Sequence, residues 1–268
     1  MGRTQTAAES VARELVAFGD ELSAQGAAQV DGAFTDRPEA DRLVKTSPEA
    51  FVLGVLFTQG VPAERAWAGP YLLRERLGHL DLRALAAQRD AVDEAVCRPP
   101  ALHRFKHTMA GWISDAAQRL LECWDGDASR IWAPGSTAIE VMERLSGFRG
   151  IGRKKAAMTV EILARHFGVP IAGLECGSVA YDTQVRRVFL RTGLVDADTP
   201  AQIAKAAARA FPVAPGHLDL PTWLIGRQWC HPLRPDCDEC RLARVCPRLT
   251  DRMVDGVGAR RPPQPGLG

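Results

Sequence analysis

Residues 148–155 read FRGIGRKK and separate two segments with helical periodicity. Apolar residues recur every three or four positions on both sides, at Ile139, Met142, Leu145, Ala156, Val160 and Leu163. Gly150 and Gly152 permit a tight hairpin and a close approach by another backbone. The second helix begins at Arg153, so its positive N-terminal end coincides with the charges of Arg153, Lys154 and Lys155. This arrangement predicts a phosphate-binding helix–hairpin–helix, although two glycines between helices are also typical of a simple turn.

The rest of the chain also has the periodicity of α-helices. Thr6 and Glu9 have capping-box spacing, and Ser47 with Pro48 has the pattern of an N-cap and a first turn. Residues 106–124 carry an apolar stripe at helical spacing. Since no segment alternates as a β-strand would, the sequence predicts an all-α protein.

The composition is that of an ordinary globular protein. The chain has 268 residues, 46% hydrophobic and 25% charged, which excludes wholesale disorder and allows one or two domains. No apolar run approaches the ~18 residues of a membrane span, and the N-terminus lacks the apolar core of a secretion signal. We therefore expect a cytoplasmic protein with no membrane partner. The tail, residues 251–268, is rich in Gly, Pro and Arg and is expected to be disordered.

The charge is distributed unevenly. The net charge of +2 does not by itself indicate a nucleic-acid-binding protein. Between residues 144 and 191, however, nine basic and three acidic residues leave a local excess of +6. A local basic surface indicates phosphate binding better than the total charge does. A solvated helix surface is the alternative interpretation.

Four of the seven cysteines lie close together, with the spacing Cys230-x6-Cys237-x2-Cys240-x5-Cys246. A secreted disulfide framework would need an oxidising compartment and usually a short chain, so the cluster predicts a metal site. Four thiolates satisfy either zinc or an iron–sulfur cluster. A single C-x2-C pair with uneven loops favours a 4Fe–4S cluster, and zinc stays open on these residues alone. Flanking arginines are candidates for phosphate contacts, namely Arg227, Arg234, Arg241, Arg244 and Arg248.

Together these features resemble the endonuclease III family of DNA base-excision glycosylases, which belongs to the helix–hairpin–helix superfamily and has a C-terminal iron–sulfur loop. Four segments match in chain order: Phe57-Thr58-Gln59, the hairpin at 148–154, Tyr181-Asp182-Thr183 with the following Arg187-Val188 and Arg191-Thr192, and the four cysteines. The resemblance covers residues 47–248 approximately and favours iron–sulfur over zinc.

The resemblance implies a fold of two helical lobes. Residues 47–167 would form a six-helix lobe that ends in the helix–hairpin–helix. Residues 1–46 and 168–250 would form the second helical lobe and carry a 4Fe–4S cluster. The cluster ligands would be Cys230, Cys237, Cys240 and Cys246. The family's active site lies in the cleft between the lobes.

The resemblance also implies a reaction, the removal of a damaged base from duplex DNA followed by cleavage at the abasic site. Lys154 stands at the position of the family's catalytic lysine, and Asp182 at that of its catalytic aspartate. The lysine would capture C1′ of the sugar as a Schiff base, and β-elimination would then nick the strand. The aspartate would stabilise the positive charge that develops on the sugar.

The expected partner is double-stranded DNA that contains a damaged base or an abasic site, bound by a monomer associated with the nucleoid. The expected DNA-binding residues are Gln59, Gly150, Gly152, Arg153 and Lys155. The target base must leave the stack, and a side chain must fill the gap. Gln59, Arg104 and Phe105 are the candidates for that role, although ordinary loop packing is the alternative for Phe105.

Three positions depart from the family pattern. The segment 168–181 between hairpin and aspartate is long, Gln184 replaces a histidine usual in the endonuclease III branch, and Gly54 replaces a glutamate that the adenine-glycosylase branch needs. Because Lys155 doubles the lysine, it is an alternative nucleophile to Lys154. Two other functions stay open: a catalytically weak glycosylase-like protein that binds damaged or structured DNA, and a glycosylase without lyase activity.

Overall fold

The computed structural model describes residues 6–28 and 35–252. Within these residues the backbone forms α-helices, short 3-10 turns and loops but no β-strand, and an isolated bridge pairs Thr137 with Ala172. The all-α prediction is therefore confirmed. Most of the tail that the sequence predicts to be disordered, residues 253–268, lies outside the described residues.

Twelve α-helices lie in the described part of the chain. In chain order they are α1 (Ala7–Ala28), α2 (Pro38–Thr46), α3 (Pro48–Phe57), α4 (Ala63–Leu77), α5 (Leu82–Ala87), α6 (Arg89–Cys97), α7 (Lys106–Trp124), α8 (Ala138–Ser146), α9 (Arg153–Arg165), α10 (Thr183–Arg191), α11 (Pro200–Ala210) and α12 (Asp219–Gln228). The chain divides into two compact units, unit 1 with residues 1–22 and 174–268 and unit 2 with residues 23–173. Among the described helices, none combines the length and the apolar character that a membrane span requires.

Local side-chain caps begin the helices where the sequence predicts them. The backbone N–H of Thr6 donates to Glu9 Oε2 at 2.9 Å, and the N–H of Glu9 donates to Thr6 Oγ1 at 3.2 Å. Ser47 Oγ accepts from the N–H of Ala50 at 3.1 Å at the start of α3. These bonds satisfy N–H groups that a helix N-terminus leaves without an intrahelical acceptor.

Helix α3 forms the centre of unit 2. Its sequence is apolar on every side, and residues 50–57 are all buried. A helix of this kind needs neighbours all round, and α3 contacts α2, α4, α7 and the 3-10 turn Ala128–Trp132. The ring of Phe51 stacks on that of Trp67 with 5.6 Å between centroids. Because α3 ends at Phe57, Gln59 follows at its C-terminal end.

The structure corrects two expectations about unit 2. The sequence assigns residues 1–46 to the cluster lobe, but α2 belongs to unit 2, where it buries Ala40 and Val44 and contacts α3 and α4. The range 47–167 holds seven α-helices rather than the six that the resemblance implies. The additional helix arises because Gln88, with φ −101° and ψ 57°, separates α5 from α6.

The segment 168–181 contains the boundary between the two units. The carbonyl of Ala172 accepts from the N–H of Ala138 at 2.7 Å, so this part of the segment belongs to unit 2 beside the start of α8. A 3-10 turn at Leu174–Cys176 begins the second part of unit 1. The boundary falls after residue 173 and not at residue 167 as the sequence suggests, because Ala172 serves the N-terminus of α8.

Unit 1 has its own hydrophobic core. Val11 and Leu15 of α1 belong to one buried cluster with Val188 and Phe189 of α10. Leu242, between the third and fourth cysteines, is 1% exposed and belongs to the same cluster. The cysteine loop is therefore anchored in this core by an apolar side chain.

Candidate functional site

The turn between α8 and α9 packs into the protein interior through two apolar residues. Phe148 and Ile151 are each 2% exposed. The ring of Phe148 stacks on Trp124 at 5.4 Å, and the N–H of Ile151 donates to the carbonyl of Phe148 at 3.0 Å. Burial of these residues fixes the hairpin, so its glycines stand at defined positions.

The two glycines of the hairpin have different reasons to be glycine. Gly150 has φ +88°, and a Cβ there would lie 2.5 Å from the ring of Trp112. Both the backbone conformation and the close packing therefore exclude a side chain. Around Gly152 a Cβ would meet nothing within 4 Å. Gly152 thus leaves open space at the start of α9, where another molecule can approach the backbone.

The N-terminus of α9 has the properties of an anion-binding site. Gly152 is its N-cap and supplies no side-chain hydrogen bond. Arg153 and Lys154 follow in the first turn, and both are exposed. The helix dipole, the N–H groups of the first turn and two cations therefore coincide at one end of the helix.

Lys155 has a different environment from its neighbour Lys154. Its side chain is half-buried, and its Nζ donates to the carbonyl of Leu56 at 2.9 Å, near the C-terminal end of α3. Burial lowers the pKa of Lys155 from 10.5 to about 8. The ammonium therefore braces α3 inside unit 2, where the sequence predicted a contact with DNA.

The turn that carries Gln59 lies against the loop that carries Arg104 and Phe105. Gln59 and Gly60 are exposed, and Arg104 Nη1 donates to the carbonyl of Gly60 at 3.4 Å. A Cβ on Gly60 would lie 3.5 Å from the ring of Phe105, which is 44% exposed. The guanidinium of Arg104 stands 4.8 Å from the centroid of that ring. The structure thus brings the three candidate gap-filling residues together on one surface of unit 2.

His103 fixes this loop from inside. It is 1% exposed, and its Nδ1 accepts from the N–H of Phe105 at 3.1 Å. Its Nε2 faces the carbonyls of Gln59 and Phe57 without reaching regular hydrogen-bond geometry. Burial lowers the pKa of His103 and keeps the ring neutral. No sequence pattern marks His103, since its partners are backbone groups from another part of the chain.

Asp182 lies in unit 1, where it is the N-cap of α10. Its Oδ1 accepts from the N–H of Gln184 at 2.9 Å and from the N–H of Val185 at 3.0 Å. The side chain is half-buried. These donors hold the carboxylate in one orientation.

The four clustered cysteines line one pocket in unit 1. Its apolar lining includes Val188, Ile225, Trp229 and Leu242. Two of the sulfurs accept backbone hydrogen bonds: Cys240 Sγ from Leu242 N–H and Cys246 Sγ from Arg248 N–H, both at 3.4 Å. Burial raises the pKa of these two thiols. Four converging thiols with N–H donors and an apolar surround fit a thiolate-bound metal centre.

Two buried arginines of α10 hold the segment that begins the cysteine loop. Arg187 Nε donates to the carbonyl of Cys230 at 2.6 Å, and Arg191 donates to the carbonyls of His231 and Pro232 at 2.7 Å each. The two arginines are 3% and 2% exposed. Their charges serve the architecture of unit 1 and are not available to a phosphate on the surface.

The predicted basic surface is therefore smaller than the charge count suggests. Besides Arg187 and Arg191, several of its members have partners within their own unit. These are Arg144 with Ser136, Arg149 with Asp115, Arg165 with Glu161 and Arg186 with Asp198. A count of charges along the chain does not distinguish such pairs from a solvent-facing surface.

The arginines that flank the cysteines also divide into two groups. Arg241 donates to Glu14 at 2.9 Å and to Glu21 at 2.8 Å, and so ties the loop to α1. Arg248 pairs with Asp238 at 2.8 Å. Further members have a different environment: Arg227 lies over the ring of Trp223, and Arg234 and Arg244 stay candidates for phosphate contacts.

Two departures from the family pattern have structural reasons. A Cβ on Gly54 would lie 2.6 Å from the ring of Trp67, so α3 has no room there for a glutamate. The side-chain oxygen of Gln184 accepts a hydrogen bond from Arg187. Gln184 also packs closely on Gly226, where an added Cβ would lie 2.8 Å from the Cβ of Gln184. Gln184 thus joins α10 to α12.

The fold and these features define a class of protein, an all-α helix–hairpin–helix protein with a C-terminal four-cysteine loop. No protein-family model matches the chain. It is 31% identical to the endonuclease III of Synechocystis sp. over 145 residues and 28% identical to that of Thermotoga maritima over 140 residues. These matches cover 53% and 51% of this chain but only 57% and 59% of the two relatives.

Solved structures share the fold over most of the chain. A trapped endonuclease III–DNA covalent intermediate matches with a TM-score of 0.58 and 18% identity, covering 90% of this chain and 98% of that one. A thermostable thymine-DNA glycosylase matches with a TM-score of 0.59 and 11% identity, covering 92% and 98%. The resemblance is thereby confirmed: the chain is similar in sequence to endonucleases III over about half of its length, and it shares the fold of these solved structures.

Proposed function

We propose that the protein is a base-excision DNA glycosylase with abasic-site lyase activity. The observation that carries this proposal is the hairpin of unit 2, where an exposed lysine, Lys154, stands in the first turn of α9 beside a positive helix end. The kinship with endonucleases III supplies the reaction class. A damaged base or an abasic site in duplex DNA is the proposed substrate.

Lys154 is the proposed nucleophile. Its side chain is exposed, whereas the amine of Lys155 donates to Leu56 inside unit 2. The positive end of α9 and the adjacent charge of Arg153 place this amine where a DNA phosphate would bind. The neutral amine attacks C1′, and the base departs with a proton that the amine gives up. The C1′–O4′ bond then opens with protonation of O4′ by solvent, which leaves a Schiff base between Nζ and C1′. Loss of a proton from C2′ then expels the 3′ phosphate and leaves a nicked strand.

Asp182 is the proposed electrostatic partner of this chemistry. Cleavage of an N-glycosidic bond builds positive charge on the sugar, which a fixed carboxylate stabilises. The two N–H donors of α10 hold the Asp182 carboxylate in one orientation. A helix cap and a catalytic carboxylate are thus compatible roles for one side chain.

We assign the remaining DNA contacts to exposed residues of unit 2. Gly150 permits the tight turn of the hairpin, Gly152 leaves room for a phosphate at the start of α9, and Arg153 adds a charge. Gln59 and Phe105 are the proposed occupants of the gap that a displaced base leaves. We assign Lys155 a positioning role, because its ammonium holds the end of α3 from which Gln59 projects.

The four clustered cysteines are the proposed ligands of a 4Fe–4S cluster. Such a cluster would complete the ordering of a loop that Leu242 and the two buried arginines of α10 already anchor. The purified protein should then be yellow-brown, and Cys240→Ser should lower the yield of soluble protein. A colourless preparation with one zinc and no iron per chain would contradict this assignment. A DNA substrate also implies a place in the cytoplasm with the nucleoid, and we propose that the protein acts as a monomer.

The decisive experiment uses a duplex with a single abasic site. Wild type should nick the strand, and borohydride should trap a covalent protein–DNA adduct. Lys154→Ala should abolish trapping, whereas Lys155→Ala should still form the adduct. If only Lys155→Ala loses the adduct, the neighbouring lysine is the nucleophile. Binding without nicking by the wild type would identify a glycosylase-like DNA-binding protein, and base release without nicking would identify a glycosylase that lacks lyase activity.

A panel of duplexes, each with one damaged base, would identify the substrate. Because α3 has no room for a side chain at Gly54, we expect no excision of adenine opposite 8-oxoguanine. Lys154→Ala serves as the matched inactive control for each duplex.

A further inference from the structure

Three potential metal ligands meet in unit 2, away from the hairpin residues. Asp93 and Cys97 lie one turn apart on α6, and His107 lies in the first turn of α7. Cys97 Sγ is 3.4 Å from His107 Nδ1 and 3.5 Å from Asp93 Oδ2, and that oxygen is 3.1 Å from the same Nδ1. A thiol, an imidazole and a carboxylate thus form a triangle at the junction of two helices.

The size of this triangle matches one face of a zinc tetrahedron. Bonds of about 2.3 Å to sulfur and about 2.0–2.2 Å to nitrogen and oxygen place neighbouring ligand atoms apart by fixed amounts. Tetrahedral angles then require about 3.6 Å for sulfur–nitrogen and sulfur–oxygen pairs and about 3.4 Å for a nitrogen–oxygen pair. The three observed separations, 3.4, 3.5 and 3.1 Å, lie slightly inside these values. A small expansion would admit the ion.

One side chain must turn when the ion enters. Cys97 Sγ lies 3.4 Å from Nδ1 but also only 4.0 Å from Nε2 of His107, so the sulfur stands beside the ring and not along the Nδ1 lone pair. The His107 side chain is 70% exposed, so solvent leaves its ring free to rotate toward the centre of the triangle. His107 Nδ1 lies 2.9 Å from Asp93 Oδ1, and a zinc ion bound between the two groups would replace this contact.

We propose that Asp93, Cys97 and His107 bind a zinc ion, with water as the fourth ligand. The donor set favours zinc or a similar transition metal, because magnesium and calcium prefer oxygen ligands and take no thiolate. This site is separate from the four clustered cysteines, which lie in unit 1.

The position of the site gives the ion a structural role. The ligands join the last turn of α6 to the first turn of α7, and residues 98–105 form the loop between them. That loop carries His103, Arg104 and Phe105 to the turn of Gln59. A zinc ion would close the loop at its base and stabilise the surface that presents Phe105.

Cysteine alkylation tests the site directly. Cys97, Cys123 and Cys176 fall in separate tryptic peptides, and the latter two are exposed internal controls. Zinc added to the intact protein should slow the labelling of Cys97 at least tenfold and leave Cys123 and Cys176 unchanged. Asp93→Asn and His107→Ala should each abolish most of this protection, and both positions are exposed enough to tolerate the change.

Zinc content gives a second readout that does not depend on the labelling rate. After dialysis against a weak chelator, wild type should retain one more zinc per chain than Cys97→Ser. Zinc-insensitive labelling of Cys97, or equal zinc retention by wild type and Cys97→Ser, would overturn the proposal. Neither measurement requires glycosylase activity, so the result stands whether or not the proposed function is correct.

Discussion

Replacing Lys155 by methionine should flatten the pH dependence of stability, whereas the same replacement at Lys154 should not. The Lys155 amine donates to Leu56 at 2.9 Å, and burial lowers its pKa from 10.5 to about 8. In the unfolded chain the amine regains its ordinary pKa. Between these two pH values the unfolded state therefore binds more protons than the folded state, so the free energy of unfolding rises with pH.

The two pKa values set the size of the effect. A full shift of this kind would raise the free energy of unfolding by at most about 2.5 kcal/mol between about pH 7 and pH 10. Because Lys155 is only half-buried, solvent screening reduces the expected change to about 1–2 kcal/mol. The wild type should then gain about 2–8 °C in Tm relative to Lys155→Met over this range.

Comparison at a single pH would be less informative. At about pH 7 Lys155→Met loses a charged hydrogen bond worth about 1.5–3 kcal/mol. The same change removes a partly desolvated charge, which opposes that loss. The two effects nearly cancel, so the slope with pH is the quantity to measure.

Thermal unfolding followed by circular dichroism at a series of pH values provides that slope. Lys154→Met removes the same charge from the adjacent exposed position and controls for net charge. A Lys155→Met protein that follows the wild-type slope would show that the amine is not desolvated. The interpretation that the Lys155 ammonium braces α3 would then be wrong.

Four further substitutions test individual residues. Asp182→Asn should melt close to wild type, because Asn caps helices about as well as Asp, yet slow base excision by about 10²–10³; equal turnover in a glycosylase assay would reduce Asp182 to a helix cap. Gly150→Ala should destabilise the protein by about 1–3 kcal/mol in thermal unfolding, because the new Cβ clashes with Trp112 and the backbone φ is positive. Gly152→Ala should fold normally and bind duplex DNA more weakly. A Gly152→Ala protein less stable than Gly150→Ala would contradict the packing described above. Arg153→Ala should reduce the slope of log affinity against log salt by about 1, and an unchanged slope would remove Arg153 from the interface.

Features with local causes were predictable from the chain alone. The capping residues Thr6 and Ser47 accept hydrogen bonds from N–H groups three positions away, so a short sequence spacing predicts their effect. The apolar periodicity that defines α7 and α9 is local in the same sense. These signals sufficed for the all-α class, for the hairpin and for the grouping of the four cysteines.

Features that depend on burial were not predictable in this way. The charge count treated Arg187 and Arg191 as surface groups, but both lie inside unit 1 and hold backbone carbonyls of the cysteine loop. The assignment of α2 to unit 2 was not predictable for a similar reason, because it depends on the apolar surface against which the helix packs. His103 also gained its role from backbone groups that are distant in sequence.

Lys154 and Lys155 show where the two kinds of information separate. They are adjacent residues of the same type, and the family motif predicts a catalytic lysine at Lys154 without describing the environment of either amine. Successive residues of an α-helix point about 100° apart, so α9 exposes Lys154 and turns Lys155 toward the end of α3. Sequence spacing determined that a lysine would stand at the start of this helix. Only the tertiary contact between Lys155 and the end of α3 decided which amine is desolvated, because desolvation depends on the atoms that surround a group and not on its neighbours along the chain.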